Sequence, residues 1–168
     1  MKQELIERIK LHEGFRAKAY LDSVGKFTIG YGTLIDNEYK SNISLKALFQ
    51  HGISKAQGEY MLIAYIADLS KNYEGFPWYD RQCQDIKNVM LEMGYQLGEF
   101  FYLHFKHTIE AFENFDFLEA SNQMLESKWH RQTPNRCEEL ADIVAKHQSR
   151  TSKHKTSNIP DTHKYTVG

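Results

Sequence analysis

Two carboxylic acids, Glu13 and Asp22, and one hydroxyl, Thr28, fall within residues 12–33, HEGFRAKAYLDSVGKFTIGYGT. Paired carboxyl groups suit acid–base cleavage of an acetal linkage. One protonates the leaving oxygen while the other stays ionised beside developing positive charge or activates a water. Most Glu and Asp residues are solvated surface charges, so the weight rests on the setting. A helix end, a turn and a strand flanked by Gly30 and Gly32 would carry Glu, Asp and Thr toward one edge of a small sheet.

The elements that must position these groups are readable locally. Leu5, Ile6 and Ile9 recur at helical spacing among Lys2, Glu4, Glu7, Arg8 and Lys10, which predicts a short amphipathic helix over residues 2–12. Gly14 suits the left-handed position beyond a helix end, leaving Glu13 on the last turn or immediately after it, at the negative end of the dipole. Ala17, Ala19 and Leu21 alternate with polar neighbours, Asp22-Ser23-Val24-Gly25 supplies a turn, and Lys26-Phe27-Thr28-Ile29 returns as the second arm of a β-hairpin. A third strand is expected at about residues 33–36, and the missing side chains of Gly30 and Gly32 allow close approach by a ligand or another strand.

Residues 37–52 read as a polar connector with a short helix around residues 45–49. Ser54 and Gln57 fit a capping box, and Met61, Leu62, Tyr65, Ile66, Leu69 and Tyr73 trace one face of a long helix ending before Gly75 and Pro77. At roughly 20 residues it would span about 30 Å and serve as a strut between two lobes.

From residue 80 to about 146 the chain reads as helical and aromatic-rich. Ile86, Val89, Met90, Met93, Phe100, Phe101, Leu103, Phe105, Ile109, Phe112, Phe117, Leu118, Met124, Leu125 and Trp129 are assigned to its core. Asp116 with Glu119 reads as a helix N-cap pair, and Thr133-Pro134 as a capping hydroxyl before a proline at the first helical position. Beyond residue 151 apolar residues almost vanish, and a loosely docked tail is expected.

The chain has 168 residues and a net charge of −1, but this balance hides an acidic middle: residues 1–60 carry +2, 61–120 carry −6 and 121–168 carry +3. No basic face is concentrated enough to predict a nucleic-acid protein, although the two basic ends leave room for weak attraction to an anionic polymer. Cys83 and Cys137 lie far apart without metal-ligand spacing, so both read as reduced packing residues. No secretory leader or membrane span is visible, which predicts a product that is soluble in the cytoplasm and does not insert stably into a membrane. His104, His107 and Glu110 could form part of a metal site, but no third His or Cys is placed to finish it; no metal and no cofactor are expected. The tail histidines His154 and His163 read as solvated.

The spacing of Glu13, Asp22 and Thr28 in EGFRAKAYLDSVGKFTIGYG resembles that of the phage T4-type lysozymes, the muramidase endolysins of bacterial peptidoglycan. SKWHRQTPNR at residues 127–136 is similar to that family's C-terminal signature, and KNVMLEMG at residues 87–94 adds a third, intermediate similarity. The resemblance covers about residues 1–147 and implies an α+β, predominantly helical, two-lobed fold. It implies a β lobe over about 13–53, a linking helix over 54–74, and a helical lobe over 80–147 on which helix 2–12 packs; residues 148–168 form a flexible polar tail.

The resemblance further implies an inverting glycosidase that cuts the β-1,4 bond between N-acetylmuramic acid and N-acetylglucosamine. Glu13 would be the general acid, Asp22 and Thr28 would position water, and Arg136 would pair with the catalytic glutamate. Gly30, Tyr31, Gly32, Leu91, Asn122 and Gln132 would meet the saccharide, while Trp129 belongs to the core. Lys128 and Arg131 either meet the polymer's carboxylates or solvate a helix. Thr33, where relatives often carry His, and Leu91-Glu92, where they often carry an aromatic and an amide, depart from the pattern. The implied partner is bacterial peptidoglycan, reached by a monomer that is made in the host cytoplasm and crosses to the periplasm through a holin-type pore. A wall-binding or virion structural protein that keeps the fold without turnover is the rival class.

Overall fold

The computed structural model describes residues 2–22 and 25–156. It is α+β and predominantly helical, as expected, with one three-stranded antiparallel sheet ordered β1-β2-β3. By internal contacts the chain divides into two compact units, one ending at His104 and one beginning at Phe105. The expected strut helix thus lies wholly inside the first unit.

In the first unit, α1 (Lys2–Glu13) buries Leu5, Ile6 and Ile9, the residues its periodicity singled out. Glu13 is its final residue, and Gly14 follows with φ 65° and its N–H on the Lys10 carbonyl, the left-handed stop the sequence predicts. Strands β1 (Arg16–Leu21) and β2 (Phe27–Gly30) form the hairpin. The register pairs Tyr20 with Thr28 but Arg16 with Gly30, so a bulge lies between. Within it the Ala17 carbonyl accepts from Ile53 N at 2.8 Å instead of serving the ladder.

The third strand is shorter than expected: β3 is only Thr33–Leu34, and Asp36 starts a helix. Its carboxylate accepts from Phe27 N at 3.2 Å and from Lys40 at 2.8 Å, which ties the first turn of α2 (Asp36–Ser41) to the sheet. The connector is therefore two helices, with α3 (Ile43–His51) N-capped by Asn42, whose side chain accepts from Leu45 N at 3.0 Å. The short helix expected at residues 45–49 lies inside α3, and α2, whose residues are nearly all polar, has no apolar periodicity to announce it. Ile29, Ile35, Phe49 and Ile53 form the small core beneath the sheet.

Helix α4 (Lys55–Tyr73) begins with the predicted capping box, both of whose bonds are present. Its buried face is Gly58, Leu62, Ile66, Leu69 and Tyr73. After α5 (Pro77–Asp80), α6 (Gln84–Leu97) packs against both α1 and α4 and is buried along most of its length. At Gly94 a Cβ would sit 2.2 Å from the Tyr73 hydroxyl, so only glycine admits this contact, and Tyr73 donates onward to the Glu99 carbonyl at 2.8 Å. Phe101–Leu103 form a 3₁₀ turn.

The second unit comprises α7 (Lys106–Glu113), α8 (Phe117–Glu126), α9 (Lys128–Gln132) and α10 (Pro134–Thr156). Asp116 caps α8 by accepting from Glu119 N at 3.0 Å, and Pro134 opens α10 as predicted. Phe112, Phe117, Met124 and Trp129 are buried, Trp129 at 3% exposure with its ring edge-on to Phe105. The expected core was too generous, since Phe100, Leu103 and Leu118 are exposed. Leu118 follows the buried Phe117 on one helix, and adjacent helical residues cannot share a face.

The tail expected from residue 148 is helical to Thr156, because no glycine or proline interrupts α10 there; Gln148 also accepts from Phe117 N at 3.0 Å. Residues 157–168, with His163, lie outside the described residues. Cys137 is a buried packing residue whose thiol is pushed up to about 12 by burial. Cys83 is exposed, so its expected packing role does not hold.

The packing of α1 on α6 carries one charged contact. Arg8 Nε lies 3.0 Å from Glu92 Oε2, with the Glu92 side chain fully buried and that of Arg8 19% exposed. Truncating one partner of such a pair strands a charge out of water, a large penalty compared with the modest net value of the intact pair. Arg8→Ala is expected to destabilise the protein by about 3 kcal/mol, measured by denaturant unfolding. Arg8→Lys should lose less, since it keeps the charge.

Candidate active site

The three residues with catalytic potential are distributed around one strand. Thr28 lies within β2, Asp22 at the start of the connection that leads into it, and Glu13 beside the connection that leaves it. Each is held by a different device.

Asp22 is half-buried and organises the hairpin turn. One carboxylate oxygen accepts from Lys26 N at 2.8 Å, the backbone N–H donates to the Lys26 carbonyl at 2.9 Å, and the carbonyl accepts from Gly25 N at 3.1 Å. An aspartate suits this place because its short side chain can satisfy a nearby backbone donor. The carboxylate therefore has a fixed orientation.

Thr28 is 5% exposed, and its hydroxyl lies 3.4 Å from the carbonyls of both Tyr20 and Lys26. A hydroxyl has one proton to give, so these are alternatives, and both are long for O–H···O. The sheet constrains the side chain more firmly than it occupies the hydroxyl.

Glu13 is placed by what Gly32 lacks. A Cβ on Gly32 would stand 3.0 Å from Glu13 Oε2 and 3.4 Å from Cδ, so the carboxylate occupies the space where a side chain would be. Gly32 also has φ 86°, a conformation L side chains rarely adopt. Gly30, with φ 67°, serves another contact: its missing Cβ would lie 3.2 Å from Gly58 Cα, bringing the end of β2 onto α4. The two glycines expected to admit a ligand or a strand thus admit a helix and the Glu13 carboxylate.

Tyr31, between them, is 6% exposed; its ring packs against Phe15 at 5.2 Å with Lys10 Nζ 5.7 Å from the ring centre. Lys10 is anchored by Glu59 at 2.9 Å and Glu7 at 3.0 Å, and these carboxylates, Glu59 foremost, hold it above the usual lysine range. The Tyr31 carbonyl accepts from the Tyr95 hydroxyl at 2.7 Å. Sequence reading did not single out Tyr95, and nothing but its place one residue after the MG pair could have drawn notice.

Among the remaining expected site residues, Leu91 is 1% exposed in the α6 core, which leaves it almost no surface to offer a saccharide. The neighbouring Glu92 is the buried partner of Arg8, so its departure from the family pattern is matched by a cation on α1. Thr33 is buried, and its hydroxyl has no hydrogen-bond partner among the described residues. In the second unit, Asn122 on α8 and Gln132 at the end of α9 are exposed, as are Lys128 and Arg131. Arg136, on the first turn of α10, is 5% exposed, a degree of burial unusual for a guanidinium. His107 and Glu110 are a solvated pair at 3.9 Å, and no cluster of three metal-ligating side chains exists among the described residues. No helix there is long and apolar enough to cross a membrane.

An acid beside a glycine connection, an oriented carboxylate at a hairpin and a buried hydroxyl on the strand between them can together protonate a leaving group and hold a water. Known proteins are similar to this chain over most of its length. The chain is similar to "Probable T4-type lysozyme 1" of Dictyostelium discoideum, at 25% identity over 161 residues covering 86% of this chain and 95% of the relative. It is similar also to "Probable T4-type lysozyme 2" of the same organism, at 23% identity over 85% and 94% of the two chains. The sequence profile of the phage lysozyme family matches residues 10–142, which takes in Glu13, Asp22, Thr28 and Arg136, and the chain belongs to that family.

Proposed function

We propose that the protein is a muramidase that hydrolyses the β-1,4 bond between N-acetylmuramic acid and N-acetylglucosamine in bacterial peptidoglycan, with inversion and without a cofactor. Glu13 in its acid form donates a proton to the glycosidic oxygen as the C–O bond breaks. Asp22 and Thr28 hold a water on the opposite face of the ring; the water oxygen bonds to the anomeric carbon and its proton passes to Asp22. Asp22, ionised until then, also offsets the positive charge that develops on the sugar. In this reading the family motif assigns Arg136 the supporting ion pair with Glu13.

The observation that carries this reading is the seat of the Glu13 carboxylate over Gly32, at the far end of β2 from the turn that Asp22 caps. The two anchors, the Lys26 N–H and Gly32, flank β2 at its opposite ends, so the two acids approach the strand from opposite ends. Acids held at opposite ends of a strand suit a pair that works with a water between them, as inversion requires. Residues 30 and 32 offer backbone groups to the saccharide in this reading, with Asn122 and Gln132 as amide contacts. Leu91 is not carried forward as a contact.

The same reading makes the protein an endolysin, synthesised in the host cytoplasm, passed to the periplasm by a holin-type pore, and acting there as a monomer to lyse the cell. A wall-binding protein without turnover is the alternative, and it would bind purified peptidoglycan while releasing no new reducing ends.

Glu13→Gln is expected to keep the thermal midpoint within a few degrees of wild type and to abolish clearing of a purified peptidoglycan suspension. Retained clearing would remove Glu13 from the acid role. Gly32→Ala should lower turnover by about 10-fold or more, since a Cβ 3.0 Å from Glu13 Oε2 must displace the carboxylate. Wild-type turnover in Gly32→Ala would mean that the seat over residue 32 has no bearing on the chemistry.

A further inference from the structure

The connection between β2 and β3 holds Gly32 against the Glu13 carboxylate, yet glycines at 30 and 32 make it the part of the sheet with the least intrinsic restraint. We propose that Tyr95 is a positioning residue for the muramidase reaction, its hydroxyl latching the Tyr31–Gly32 peptide to α6 and so fixing Gly32 beneath the catalytic acid. The inference rests on the functional reading above.

Peptide planarity couples the two groups of this connection. The Tyr31 carbonyl and the Gly32 N–H belong to one rigid plane and point in opposite directions. A donor that fixes the carbonyl therefore fixes the amide as well. The Tyr95 hydroxyl donates to that carbonyl at 2.7 Å, short enough to be a well-formed bond. Without it, rotation of the plane about the ψ of Tyr31 and the φ of Gly32 meets little steric resistance on the glycine side, and Gly32 would move relative to Glu13.

Tyr95 is itself held in place. Its ring stands edge-on to Tyr65 of α4 at 5.4 Å and 89°. Burial, followed by the Glu99 charge, raises the Tyr65 phenol above its ordinary range, so Tyr65 remains a neutral partner. Gly94, immediately before Tyr95, is the glycine that lets Tyr73 of α4 press against α6. The close approach of the two helices thus delivers the hydroxyl to the connection. Tyr31 is steadied on its ring side by Phe15 and Lys10, but those contacts act on the side chain and leave the peptide plane to Tyr95.

The test is Tyr95→Phe, which keeps the ring contact with Tyr65 and removes the hydroxyl that bonds the Tyr31 carbonyl. Turnover of soluble peptidoglycan fragments would be measured beside amide hydrogen exchange at residues 31–33 and the thermal midpoint. The expected result is kcat lowered about 10-fold with KM within about twofold, together with exchange accelerated at those amides alone and the midpoint nearly unchanged. Wild-type exchange at residues 31–33 would overturn the latch. Faster exchange with unchanged kcat would overturn the positioning role, and so would a loss of kcat matched by faster exchange throughout the protein, which marks general destabilisation. Failure of the wild-type protein to release reducing ends would sink the muramidase reading instead, while the exchange measurement would still decide whether the latch exists.

Discussion

A carboxylate occupying the volume of an absent side chain is the contact on which the rest of this structure turns. Glu13 ends α1, Gly32 follows β2, and the two meet only because residue 32 has no Cβ and tolerates a φ of 86°. Everything nearby bears on that meeting. Arg8 and Glu92 join α1 to α6, Gly30 and Gly58 bring β2 onto α4, and Tyr95 fixes the peptide between Tyr31 and Gly32. The acid is therefore located by packing on several sides, which suits a group whose proton must meet a leaving oxygen within hydrogen-bond reach.

The charges around α1 divide between structure and site. Lys10 is held by Glu7 and Glu59 near the surface, where ion pairs contribute modestly. Arg8 and Glu92 form the deeper pair, and its strength lies in what its disruption costs. That pair replaces a neutral arrangement implied by the family resemblance at position 92. The acid there is accommodated by a cation two turns along α1, which explains how the departure leaves the fold intact.

Much of the frame was legible because its signals are local. The Ser54–Gln57 box, the glycine after Glu13 and the apolar stripe of α1 each act within a few residues. The grouping of Glu13, Asp22 and Thr28 around one hairpin was legible through spacing, since a hairpin of fixed length sets where Asp22 and Thr28 fall. Helix α3 was legible in part, as the short helix at residues 45–49, whereas α2 was not, because its six residues are nearly all polar and its tie to the sheet through Asp36 is tertiary. Tyr95 was equally invisible: a hydrogen bond across 64 positions in the chain leaves no periodicity to read. The glycines were recognised as places of close approach, but what approaches them is a tertiary fact.

The central claim is that Glu13 acts across a water-filled gap from Asp22, and the anomer first released tests it most directly. Proton NMR during digestion of soluble glycan strands, with reduction to identify the new reducing end, reads both bond and stereochemistry. The account predicts N-acetylmuramic acid at the new end, released as the α-anomer from a β-linkage. Release of the β-anomer, or N-acetylglucosamine at the new end, would contradict it.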